Sequence, residues 1–109
     1  MATFFRNKVV KEVGTVPVKC LETDGATRST IIGINLTNLL EGNVFVSILV
    51  HDDTSVQGFY LKDVMIPPNT SLRALSTGEK LILAPSNSLH VVTDTTDSID
   101  VILSYVDIV

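Results

Sequence analysis

One cysteine, no tryptophan and two tyrosines stand in a chain of 109 residues. With Cys20 alone there is no intramolecular disulfide, so the fold does not depend on an oxidising compartment. The lack of Trp and the scarcity of Tyr leave a sugar-stacking platform poorly supplied. Lys and Arg are absent after Lys80, where Asp94, Asp97, Asp100 and Asp107 are all acidic. Net charge is −4 and the sequence pI about 4.9, which argues against nucleic acid as a partner. No apolar run approaches the roughly 20 residues of a membrane helix. The opening MATFFRNK has no apolar core behind a basic start, so synthesis in the cytoplasm, without secretion or membrane insertion, is expected. Helical periodicity is missing as well.

What is present is alternation. From Asp63 to Tyr105, Val64, Ile66, Leu81, Leu83, Leu89, Val91, Ile99, Val101, Leu103 and Tyr105 recur at period two, separated by clusters of Pro, Asn, Ser, Thr and Gly. Upstream, an extended stretch from Val13 puts Val16, Val18 and Cys20 on one face, with Pro17 marking an edge or a bulge. Residues 28–38 follow with Ile32, Ile34 and Leu36 in register, and Gly33 suggests a bulge. In residues 44–51, Val44, Val46, Ile48 and Val50 face one way and Phe45, Ser47, Leu49 and His51 the other. About nine short strands at this spacing predict a single all-β domain, an antiparallel sandwich, either jelly-roll-like or immunoglobulin-like.

Residues 1–12 differ from the rest. Phe4 and Phe5 lie without a clean period among Arg6, Lys8 and Lys11. They predict an N-terminal arm or an edge strand, followed by a sandwich domain over 13–109. The acidic Asp94–Asp107 region is the natural complement of these cations.

No constellation of catalytic or ligating residues emerges. His51, Asp52 and Asp53 form the one His–carboxylate cluster, and carboxylates after a strand are ordinary turn chemistry. His90 can join His51 only if their strands end at the same edge. The three-residue spacing of Asp94, Asp97 and Asp100 does not match a calcium loop. There is no G-x-S-x-G elbow and no phosphate-cradling glycine loop. Accordingly no enzymatic activity, metal or cofactor is expected. The candidate functional residues are those of an interface: Phe4, Phe5, Arg6 and Lys8 in the arm, and Phe45 and Leu49 on the second face of a strand whose first face already fills a core.

The segments EVGTVPVKCLETDGATRSTIIGINLTNL, VFVSILVHDDTSVQGFYLKDVMIPPNTSL and GEKLILAPSNSLHVVTDTTDSIDVILSYVDIV resemble small virion structural proteins of tailed bacteriophages, cyanophages especially. The likeness lies in a strand ending "IP", a turn into "SL", a "KL-L-P" hairpin and a closing "SYV-I". It implies a non-enzymatic component of the particle, at the head surface, neck or tail. Such a component is made in the host cytoplasm, works in the virion in many copies, and contacts itself and other virion proteins. The alternative from the residues is a small carbohydrate- or ligand-binding module.

Overall fold

The computed structural model describes residues 2–75 and 78–109; Met1, Ser76 and Thr77 lie outside the described residues. Among the described residues nine strands succeed one another: β1 (Thr3–Val13), β2 (Val18–Glu22), β3 (Arg28–Asn38), β4 (Val44–His51), β5 (Gln57–Ile66), β6 (Ser71–Arg73), β7 (Leu81–Leu83), β8 (Ser88–Thr93) and β9 (Ile99–Ile108). Valine, isoleucine and leucine at alternate positions make them strands, because a pleated ribbon shows every second side chain to the same side.

Two antiparallel sheets result. One runs β1-β9-β3-β6, with β7 also paired to β3; the other runs β2-β8-β4-β5. β6 and β7 lie against residues 35–37 and 29–31 of β3, so together they act as one interrupted strand. Nested pairs then become visible: β1 with β9, β2 with β8, β3 with β6 and β7, and β4 with β5 at the tip. The chain is one long hairpin whose successive pairs fall in alternate sheets, which is the connectivity of a jelly roll. An immunoglobulin fold would distribute its strands differently. Of the two sandwiches the sequence allows, the jelly roll is the one adopted.

The core is aliphatic. Ile31, Ile34 and Leu36 of β3, Val46 and Ile48 of β4, Leu89 and Val91 of β8, and Val101 and Leu103 of β9 fill the space between the sheets. Tyr105 is the single aromatic ring buried there. Two expected alignments are corrected. Ile32 was expected to share a face with Ile34 and Leu36, but a register shift between Ile31 and Gly33 sends Ile31 inward and leaves Ile32 46% exposed. Val16, expected beside Val18 and Cys20, stays outside β2 and is exposed, whereas a shift between Lys19 and Leu21 buries both Cys20 and Leu21. At Ile31–Gly33 and at Lys19–Leu21 one extra residue reverses the side-chain phase, whereas Val16 precedes the ladder altogether.

β1 forms the outer edge of the first sheet and pairs in register with β9 from Thr3↔Ile108 to Val10↔Val101. A bulge follows, where Glu12 takes φ 55° and its N–H bonds the Asp100 carboxylate at 2.9 Å. Beyond it Val13 is fully buried. Residues 3–9 are all exposed.

Candidate assembly surfaces

All four phenylalanines lie on the surface: Phe4, Phe5, Phe45 and Phe59. Scattered apolar residues on a surface are normal, but a chain that builds its core from aliphatic residues and leaves every Phe outside has placed its largest apolar side chains where a neighbour can reach them.

On the second sheet, Phe45 of β4 lies opposite Met65 of β5, and Leu49 lies opposite Phe59. Phe45 is 40% exposed and Leu49 half-buried. The pattern arises because β4 alternates Val44, Val46 and Ile48 into the core against Phe45 and Leu49 outward. β5 has a bulge at Asp63, whose φ is 50° and whose N–H donates to the Ser47 hydroxyl at 3.0 Å. A second shift follows between Leu61 and Phe59, so the two extra residues cancel and Met65 and Phe59, six residues apart, stay on the same side. On the first sheet, Val9 pairs with Ile102 and Phe5 with Val106, facing outward. Ile82 and Ile32 add to this face.

Phe4, Arg6 and Lys8 lie on the other side of β1, opposite Asp107, Tyr105 and Leu103. Arg6 Nε meets Asp107 Oδ2 at 3.0 Å, and the guanidinium lies 5.1 Å from the Phe4 ring centre. The second oxygen of Asp107 accepts the Ser29 hydroxyl, so one carboxylate ties β1, β9 and β3 together. Met65, Phe59, Val9, Ile82 and Ile102 were not singled out from the sequence. Ile102, set out of phase between Val101 and Leu103, was the readable signal.

His51 and His90 do come together. β4 and β8 are neighbours, with Leu49 opposite His90 and His51 opposite Ser88. The two imidazoles stack with centres 4.0 Å apart and planes 18° from parallel. Stacked rings offer each other faces, and their nitrogen lone pairs do not converge on a shared point. The Ser88 hydroxyl lies 3.0 Å from His90 Nε2. Burial, then the neighbouring His51 and Lys19, push the His90 pKa below its ordinary value.

Three of the candidate carboxylates, Asp52, Asp94 and Asp100, accept backbone N–H groups. Asp52 accepts the N–H groups of Thr54 and Val56 (2.9 and 3.0 Å) and the Thr54 hydroxyl (2.7 Å), which hold its pKa low. Asp94 accepts the Phe45 N–H at 3.0 Å. Among the described residues no group of three or more His, Cys, Asp or Glu side chains is arranged to hold a metal ion. Burial pushes the Cys20 thiol up to about 11, so at neutral pH it is a small core hydrophobe. An open groove of about 390 Å³ runs beside β3 and is lined by Ile32, Asn35, Arg73, Leu75, Ile102 and Ser104.

A scan against protein-family models and a search of curated sequences both gave no match. Among solved structures, the chain is similar to one in the T13 particle of infectious bursal disease virus, with a TM-score of 0.55 and 7% identity over 96% of this chain and 30% of that one. A chain in the structure of the Gt strain of the same virus gives a TM-score of 0.50 and 9% identity, over 97% of this chain and 32% of the other. At such identities the likeness concerns the fold. This chain spans about a third of the length of those chains.

Proposed function

We propose that this protein is a non-enzymatic structural subunit of a bacteriophage particle, at the head surface, neck or tail. It acts in multiple copies and contacts itself and other virion proteins. The observation that carries the reading is the placement of all four Phe side chains on the surface of a jelly roll with an aliphatic core. Phe45 and Leu49, with Met65 and Phe59 beside them, form one contact surface. Phe4, Phe5, Arg6 and Lys8 form the other. The fold-level likeness to chains of a virus particle supports the structural side of the proposal. The bacteriophage side rests on the resemblance of the strand-and-turn pattern to cyanophage virion proteins.

Jelly rolls also serve as lectins, and the groove beside β3 is where a ligand-binding module would hold its ligand. Two measurements separate the readings. A mass-spectrometric inventory of purified phage particles is expected to find the chain at many copies per particle. Sedimentation of the purified protein is expected to show self-association that rises with concentration. A chain missing from particles, monomeric at the highest attainable concentration and retained by a glycan array would replace this proposal with the binding-module reading.

A further inference from the structure

β1 has one backbone edge on β9 and, among the described residues, no strand on the other. Reciprocal bonds fix which groups point where: Ala2 N donates to Val109 O at 3.1 Å, and Val109 N to Ala2 O at 2.9 Å. Hydrogen-bonded pairs alternate with non-bonded pairs along an antiparallel ladder, and the register holds from Thr3 to Val10. The N–H and C=O groups of Ala2, Phe4, Arg6 and Lys8 therefore point at β9. Those of Thr3, Phe5, Asn7 and Val9 point outward, into the open edge.

An open edge of this length is a template for another strand, and proteins commonly blunt one with proline, charge or a bulge. Residues 3–10 contain no proline, and the bulge lies past them. The two cations, Arg6 and Lys8, are on one side of the strand, and they decide which registers are open. We propose that the strand added here is β1 of a second copy, antiparallel, about a two-fold axis at Phe5. This sets Phe5 against the partner's Phe5, Thr3 against the partner's Asn7 and Arg6 against the partner's Phe4. Centring on Arg6 would oppose two arginines. Centring on Asn7 would oppose Arg6 to the partner's Lys8. Like charges directly across a ladder are destabilising, and aromatic pairs are favourable. Centring on Phe4 shortens the ladder to residues 2–6, whereas the Phe5 axis pairs residues 2–8.

Phe5 is 81% exposed, the largest exposure among the described large apolar residues, and this pairing covers it. Arg6, already against its own Phe4, gains a second ring at a contact type that favours arginine. The contact is isologous and closes at two copies, so the outer sheet faces stay available for other neighbours. The inference rests on the self-association reading and adds its geometry.

Single cysteines test the register, and buried Cys20 does not compete. Phe5→Cys places two thiols across the axis with Cα atoms about 5.5 Å apart, within disulfide reach. Mild oxidation is then expected to convert most of the protein to a covalent dimer. Asn7→Cys, facing the partner's Thr3, is expected to remain a single chain under the same treatment. Asn7→Pro removes an outward donor and leaves the bonds to β9 intact, so the subunit should fold and the dimer should vanish in sedimentation. Cross-linking of Asn7→Cys in preference to Phe5→Cys overturns the Phe5 axis. If neither cysteine cross-links while the wild type self-associates, the edge pairing is wrong and the assembly reading stands. A wild type that sediments as a monomer at every concentration removes both.

Discussion

Asn38, at the end of β3, is almost wholly buried and spends its side-chain amide on the backbone. Its Nδ2 donates to the carbonyls of Gly42, Ile66 and Pro67 at 2.9–3.1 Å, and its Oδ1 accepts the Leu40 N–H at 2.9 Å. One side chain thereby fixes the β3–β4 connection and the end of β5. Asn38→Ala leaves the buried Ile66 carbonyl without this donor and removes three part-buried bonds, and a loss of about 1–3 kcal/mol is expected in urea unfolding. Asn38→Asp keeps the shape but loses the donors and should cost at least as much; either variant matching wild-type stability would remove the role. His90 gives a pH dependence at the same scale. Its pKa is held below the ordinary 6.5, by burial first, then by His51 and Lys19, with Glu22 acting in the opposite sense. As pH falls through 6.5 the unfolded chain takes up the proton before the folded one, so stability present above that value is lost below it. Glu22, Asp24 and Asp52, whose values are lowered, act only from 4.5 and 3.8 downward. Melting temperature should therefore drop just below pH 6.5, and His90→Gln should flatten that drop while leaving the acid limb unchanged.

At the scale of the element, β1 is two things joined at a bulge. Residues 3–9 bury no side chain in their own subunit, whereas Val13 sits in the core and its carbonyl accepts the Ser98 N–H at 3.0 Å. Removing residues 2–8 sacrifices ladder bonds, each worth about 0.5–1.5 kcal/mol net, but spares the roughly 1–2 kcal/mol per residue needed to order that backbone. Val13→Ala removes two buried methyl groups, about 0.8 kcal/mol each by transfer plus a cavity term. The expected order is a truncated chain that melts close to the wild-type subunit and fails to associate, and a Val13→Ala chain that is less stable by about 2 kcal/mol. A truncation more damaging than Val13→Ala would make residues 2–8 part of the subunit's own foundation.

For the whole molecule, the proposed assembly rests on exposed apolar residues on the outer sides of both sheets. Phe45 is the test position, since its side chain is outside while its N–H is held by Asp94. Phe45→Lys should leave stability within about 1 kcal/mol of wild type, as surface changes generally do. It should also shift the sedimentation profile toward monomer. Unfolding of Phe45→Lys would assign the ring to the core; an unchanged profile would take this face out of the assembly.

Strand number, strand position and an all-β sandwich were readable because period-two alternation and turn residues are local properties of a chain. Phe45 and Leu49 were readable on the same ground, since Val44, Val46 and Ile48 already accounted for a core face. The jelly roll itself was not. Which strand lies beside which depends on pairings as distant as Thr3 with Ile108, and alternation is blind to them. The bulge beside Gly33 adds a single residue and reverses the side-chain phase along β3, whereas the two shifts along β5 cancel. That bulge decided that Ile32 is outside, and the pairing of β5 with β4 decided that Met65 and Phe59 join Phe45 and Leu49. The stacking of His51 on His90 likewise required β4 and β8 to be neighbours. The outward groups of β1 are set by the bonds between Ala2 and Val109. Local pattern determined the strands; long-range hydrogen bonding decided which side chains share a surface.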